Sequence, residues 1–135
     1  MCQLLGISAN KEVDINFSLK EFKYRGKQNP HGWGFAFFEN GQWKINKKPS
    51  SLYNQDITQK QFKFKSKIII GHIRLASCGD KSHDNTHPFN IENWVFAHNG
   101  TVNDIKSFQL EKYKPQGETD SEYAFCYLFE KIKAN

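Results

Sequence analysis

No apolar run in this sequence approaches the roughly 20 residues that a membrane-spanning helix needs, and mean hydropathy is −0.72. The N-terminus has no basic stretch followed by an apolar one, so no signal peptide is expected. Cysteine is scarce: Cys2, Cys78 and Cys126 are three in 135 residues. An odd number makes no disulfide framework, and a reduced, cytoplasmic chain is expected. Internal repeats and low-complexity tracts are absent. His72, His83, His87 and His98, with Cys78, invite a metal reading, but compact zinc patterns use close ligand pairs and these do not form them. His72 and His98 lie in apolar strand contexts, where a hydrogen-bonded core histidine is commoner. A metal site is therefore disfavoured.

A length of 135 residues favours one domain with a sizeable core, and aromatics make up 15%, with twelve Phe. The formal net charge is +5 and the pI about 9.1. In residues 59–67 Phe and Lys alternate. Such alternation suits a basic, base-stacking surface, and equally a half-buried strand. The second reading is preferred, and nucleic acid is disfavoured as a partner.

Patterning predicts a strand over 2–8 and a helix over 15–24, capped by Asp14, with Ile15, Leu19, Phe22 and less cleanly Phe17 on its apolar face. Strands over 32–38 and 43–47 follow, joined by Asn40-Gly41, a strong hairpin signal. Ile68-Ile69-Ile70 within a strand over 67–74 implies burial on both faces. Residues 77–90 read as a long polar loop, which inside a compact domain is usually functional or disordered. A buried strand over 94–98 ends at Asn99-Gly100, and a short helix is expected near 103–108. Thr119 and Glu122 read as a capping box for a helix over 120–132. Strands in hairpins more than in βαβ order favour an α+β fold with antiparallel sheet.

Four polar groups sit at element ends. If Met1 is removed, Cys2 carries a thiol and a free α-amine on one carbon. Ordinary values for such groups are about 8.5 and about 7.7–8.0, so near neutral pH the amine can take the thiol proton. Cys2 also reads as a small buried hydrophobe opening a strand. Asn99 and Gly100 offer a side-chain amide and a main-chain N–H to an oxyanion, or else a type I′ turn. Arg74 offers a bidentate partner for a carboxylate, or snorkels to solvent. Asp120 offers a partner for an ammonium group and, without contradiction, a first-turn carboxylate stabilised by the helix dipole.

Taken in order, the segments Met1-Cys2-Gln3-Leu4-Leu5-Gly6, Tyr24-Arg25-Gly26, Gly32-Trp33-Gly34, Gly71-His72-Ile73-Arg74, Asn85-Thr86-His87-Pro88-Phe89, Ala97-His98-Asn99-Gly100 and Gly117-Glu118-Thr119-Asp120-Ser121-Glu122 resemble the class II glutamine amidotransferases, the cysteine branch of the N-terminal-nucleophile hydrolases. The look is nearest to their stand-alone bacterial branch. The resemblance implies a four-layer αββα sandwich. It implies Cys2 as nucleophile with its own α-amine as base, attacking the γ-amide of glutamine or a γ-glutamyl compound. It implies Asn99 and Gly100 as oxyanion hole, Arg74 on the α-carboxylate and Asp120 on the α-amino group. Ser77, Thr86 and His87 would line the pocket, Arg25 would support it, and no metal or organic cofactor is implied. A class II amidotransferase domain over 1–135, ending about halfway through the family's domain, implies an incomplete sandwich. A synthase partner or self-association follows as an expectation. Met1 blocks the α-amine while it is present, and Leu75 stands where sugar-synthase members carry Trp, which turns the expectation away from sugar synthesis. The alternative is a non-catalytic, truncated binding module of the same fold.

Overall fold

Asn40 and Gly41 both take left-handed backbone angles, φ 52° and 78°, as a type I′ hairpin turn requires. They fold β2 (Gly32–Glu39) back onto β3 (Gln42–Lys48). In a computed structural model, which describes residues 1–134, the other elements are β1 (Gln3–Asp14), α1 (Asn16–Arg25), β4 (Lys65–Arg74), β5 (Phe89–Ile91), β6 (Trp94–Phe96) and α2 (Asp120–Ala134). Short 3-10 turns lie at Leu52–Asn54, Lys60–Phe62 and Ile105–Ser107. β1, β4, β2 and β3 form one antiparallel sheet in that order. β5 and β6 form a second, two-stranded one.

Alternation along the strands separates the two faces of the larger sheet. Leu5 and Ile7 of β1, Ile69 and Ile73 of β4, and Trp33, Phe35 and Phe37 of β2 point one way. They pack with Ile15, Leu19 and Phe22 at α1 and with Leu52, Phe62 and Phe64. Burying each such side chain fully is worth roughly 1.5–3 kcal/mol, so this cluster holds α1 to the sheet. The other face carries Leu4, His72, Gly34 and Lys47 in one register row. Residues 86–89 lie across that row. Lys47 Nζ donates to the carbonyls of Thr86 (2.7 Å) and Pro88 (3.2 Å), and the His72 and His87 rings stack with centroids 4.1 Å apart. Beyond them Phe89 packs with Phe125 and Phe129 of α2. The layers therefore run helix, sheet, sheet, helix, the expected α+β architecture with antiparallel sheets.

Gly34 is fixed by this closeness. A Cβ there would overlap the His87 carbonyl oxygen and lie 2.8 Å from Lys47 Cβ and 2.9 Å from Pro88 Cδ, none of them the free end of a flexible chain. Gly34→Ala is expected to destabilise the fold by about 3 kcal/mol, in the range of overpacked cores. Urea unfolding measures it; a loss under 1 kcal/mol would mean that the two layers are not in contact here.

Several expectations are corrected. The isoleucine run is buried on one face only: Ile69 is in the core, while Ile68 is 42% exposed. Ile68 shares its face with Leu4 and Phe38, 49% and 39% exposed, because residues 86–89 cover that face at His72, Gly34 and Lys47 and leave Leu4 of β1 and the far ends of β2 and β4 open. Phe17 is 85% exposed, so α1 uses the narrower stripe of Ile15, Leu19 and Phe22. Asp14 lies one residue before the N-cap position, Ile15, and accepts from the Asn16 N–H at 2.9 Å. Residues 89–91 were expected to be largely loop and form β5, while β6 ends at Phe96 and exposes Trp94. The helix expected near 103–108 is a single 3-10 turn. Thr119 Oγ1 accepts from the Glu122 N–H as a capping residue does (3.2 Å), but the Glu122 carboxylate reaches further back, to the N–H groups of Gln116 and Gly117. Phe62 and Phe64 are buried and Lys63 and Lys65 exposed, so the alternation over 59–67 serves the core, but it is not one strand: Lys60–Phe62 is a 3-10 turn and β4 starts only at Lys65. Among the described residues no helix is long and apolar enough to cross a membrane.

Candidate active site

The pairing of Gln3 with Ile73 sets the start of β1 beside the end of β4, and Cys2 falls against the residues that follow Arg74. Its Sγ accepts from the Leu75 N–H at 3.1 Å and donates to the Leu75 carbonyl at 3.3 Å. From the segment after β6, Asn99 Nδ2 donates to the Cys2 carbonyl at 2.8 Å. Cys2, Arg74, Ser77, His87, Gly100 and Asp120 line one small cavity of about 30 Å³. It shares Ser77, Cys78 and Asp120 with a cleft of about 340 Å³, which has room for an amino acid. The larger groove of about 570 Å³ beside Lys20, Tyr24 and Tyr53 has no cysteine, serine or histidine among its lining residues.

Arg74 does not snorkel. It is 3% exposed, and its guanidinium donates to the carbonyls of Asp80 (2.9 Å), Cys78 (2.7 Å) and Gly79 (3.0 Å). A guanidinium has five N–H donors, so these three bonds leave two. Burial lowers its pKa, and the neighbouring Cys2 and Cys78 act against that. Arginine stays charged in proteins, so the cavity keeps a fixed cation. Asp120 begins α2, where the dipole favours a carboxylate. Its oxygens accept from the N–H groups of Val102 (2.6 Å) and Ser121 (2.9 Å), which ties down the backbone just after Gly100.

Three histidines support this arrangement. His31 Nδ1 accepts from the Ala76 N–H at 2.9 Å, and the His31 N–H donates to the Arg74 carbonyl at 3.1 Å. Burial, then Lys81 and Arg74, lower the His31 pKa, which suits an accepting ring nitrogen. His98 Nδ1 lies 3.1 Å from Ser121 Oγ. His87 lines the cavity between the His72 and Phe89 rings. Of the other thiols, Cys126 is buried in α2, and burial pushes its pKa up to about 11. Cys78 is exposed.

The family model for class II glutamine amidotransferases matches residues 1–135. The chain belongs to that family. Its relatives include MJ1515 of Methanocaldococcus jannaschii, 44% identical over 98% of this chain and 39% of its own length. YafJ of Escherichia coli K12 is 41% identical over 98% of this chain and 55% of its own length. The chain thus spans about half, or less, of the length of these relatives. A 2.0 Å crystal structure of a "predicted glutamine amidotransferase" from Pseudomonas aeruginosa PA01 matches with a TM-score of 0.63 at 29% identity, over 98% of this chain and 56% of that one. The layered antiparallel arrangement is accordingly of the N-terminal-nucleophile type.

Within this class II amidotransferase chain, the residues named from the sequence fall into two groups. Cys2, Gly100, Arg74, Ser77, His87 and Asp120 meet at one cavity, with Asn99 bonded to Cys2. Thr86 and Arg25 are not among its lining residues. Thr86 is fully buried, and its hydroxyl donates to the Ser82 carbonyl at 2.7 Å. Arg25 is exposed at the end of α1, and its carbonyl accepts from Asn29. Sequence reasoning missed His31 and the bonds of the Asn85 side chain to the Asp80 carbonyl and the Glu118 N–H. The signal for His31 was its place directly before the two-glycine opening of β2.

Proposed function

We propose that this cavity hydrolyses the γ-amide of glutamine or of a γ-glutamyl compound through Cys2. The observation that carries the reading is the convergence of a residue-2 thiol, Gly100, a buried arginine and a helix-start aspartate on one cavity, with the Asn99 amide bonded to the Cys2 carbonyl. Once Met1 is removed, the Cys2 α-amine accepts the thiol proton and sulfur attacks the γ-carbonyl carbon. The carbonyl oxygen becomes an oxyanion facing the Gly100 N–H and the second N–H of the Asn99 amide, whose first is on the Cys2 carbonyl. The C–N bond then breaks, and the leaving nitrogen takes the proton from the α-ammonium and departs as ammonia or an amine. Water returns a proton to the α-amine as its oxygen attacks the thioester, and the C–S bond breaks to release glutamate. One of the free donors of Arg74 holds the α-carboxylate by a charge-assisted bond, and the remaining lone pairs of Asp120 hold the α-ammonium.

In this reading residues 1–135 are the N-terminal part of a larger glutaminase domain, and the open face at Leu4, Phe38 and Ile68 is closed by further strands or by a partner polypeptide. A synthase receiving the ammonia would be such a partner. Met1 is 88% exposed, so an aminopeptidase meets no steric barrier there. While Met1 stays in place the α-amine is an amide and the base is missing, so the proposal requires its removal.

Intact-mass analysis before and after a glutamine-mimicking diazoketone tests the proposal. The expected result is a mass lacking Met1 that gains one adduct, mapping to Cys2 and not to Cys78 or Cys126. A Met1-free chain that iodoacetamide labels at Cys2 and the diazoketone does not would favour the binding module instead.

A further inference from the structure

Resting on that reading, we propose that Asn85 is a positioning residue that sets the spacing between the two head-group anchors, Arg74 and Asp120. Its side chain is buried (2% exposed) and spans the gap between the segments that hold them. On one side Asn85 Nδ2 donates to the Asp80 carbonyl at 3.1 Å, the same oxygen that accepts from Arg74 Nη1 at 2.9 Å. On the other side Asn85 Oδ1 accepts from the Glu118 N–H at 2.6 Å, two residues before Asp120. A continuous path of bonds therefore runs from the guanidinium through one carbonyl and one planar amide to the turn that starts α2.

The neighbouring chain is shaped around this side chain. A Cβ on Gly117 would overlap Asn85 Oδ1 and lie 2.8 Å from the Asp84 carbonyl oxygen, and a Cβ on Gly79 would lie 2.8 Å from Asn85 Nδ2. Both segments approach the amide as closely as backbone allows. The chemistry asks for an amide, because one planar group must donate on one side and accept on the other. Aspartate accepts from Glu118 but leaves the Asp80 carbonyl without its second donor, and alanine does neither.

Arg74 and Asp120 would bind two substituents of one α-carbon, so their separation decides whether an α-amino acid head group fits. The reactivity of Cys2 depends on other contacts, with Leu75 and along the β1–β4 pairing. Loss of Asn85 should therefore weaken recognition of the head group and spare the thiol.

The experiment compares wild type, Asn85→Asp and Asn85→Ala, all freed of Met1, using two reagents at Cys2. The diazoketone carries the α-amino acid head group and iodoacetamide does not. For Asn85→Ala, labelling by the diazoketone should slow about tenfold and KM for glutamine rise about tenfold with kcat within about threefold, while the iodoacetamide rate stays at the wild-type value. Asn85→Asp, which keeps the acceptor towards Glu118, should fall between, and it is the deciding variant should Asn85→Ala not fold. Equal slowing of both reagents, or of neither, overturns the proposal, because a merely structural role moves them together. A wild type labelled by iodoacetamide alone overturns the glutaminase reading itself, an outcome visible before any variant is made.

Discussion

Cys2→Ala is expected to abolish γ-glutamyl amide turnover, lowering kcat by a factor on the order of 10⁴–10⁶, the scale seen when a nucleophile that acts as one unit with its base is removed. The loss should be this large because alanine has no sulfur to form the thioester, and the α-amine that remains has no thiol proton to take. The fold should survive: the side chain is half-buried and bonded only to the Leu75 main chain, so truncation should cost about 1 kcal/mol. Asn99→Ala should lower kcat by a smaller factor, on the order of 10²–10³, the scale for one oxyanion donor. Cys126→Ala should leave the rate as it is, since that thiol is buried in α2 with its pKa pushed up to about 11. Ammonia release from glutamine, measured on chains whose mass confirms Met1 removal, gives the rates, and near-UV circular dichroism checks the fold. Wild type and Cys2→Ala turning over glutamine at the same rate would end the proposal.

How much of this was legible in the sequence follows from the range of the forces involved. The β2–β3 hairpin was legible because Asn40-Gly41 is a local demand on φ. The helix at 120 was legible because Thr119 and Glu122 cap it locally, although the glutamate takes different N–H partners. The grouping of Cys2, Arg74, Gly100 and Asp120 came from the order of motifs. Their meeting depends on the β1–β4 register and on the Asp120–Val102 bond across 18 residues, which no local pattern encodes. The same limit hid His31 and Asn85, whose partners lie 45 residues away at Ala76 and 33 away at Glu118. The isoleucine run misled because three apolar residues in a row do not say what covers each face. Arg74 misled for a related reason: the snorkelling alternative assumes water at the strand end, whereas the loop that follows folds back and offers carbonyls at residues 78–80.

Acid is expected to destabilise this chain from pH 6.5 downward, starting above the range where its carboxylates titrate, through the stacked pair His72 and His87. Burial is the largest cause in both: it brings the His72 pKa down to about 4, outweighing a main-chain contact with His98 that acts the other way, while Arg74 and His98 add to the lowering. It brings that of His87 down to about 2, with His72, His98, Arg74 and Lys47 adding positive charge nearby. The unfolded chain holds both imidazoles at the ordinary 6.5. Above pH 6.5 both states are neutral and the stability is fully present. Below it the unfolded state binds protons that the folded state refuses, and stability falls by about 1.4 kcal/mol per pH unit for each histidine. The loss runs from 6.5 down to about 4 for His72 and to about 2 for His87. By pH 4.5 the pair accounts for a loss on the order of 5 kcal/mol, comparable with the whole stability of a small domain, roughly 5–15 kcal/mol. His31, also lowered, adds to the same trend. The carboxylates with lowered values, Asp56, Glu92 and Glu130, start from 3.8 and 4.5 and so act mainly below this window. Urea midpoints between pH 7 and 4.5 should show uptake of about two protons on unfolding near pH 5.5, and His87→Asn, which cannot titrate, should reduce this by one. A midpoint that stays flat from pH 7 to 5 would mean that the two rings are hydrated or charged in the folded chain, and that the layer between the sheets at His72 and His87 is open to water.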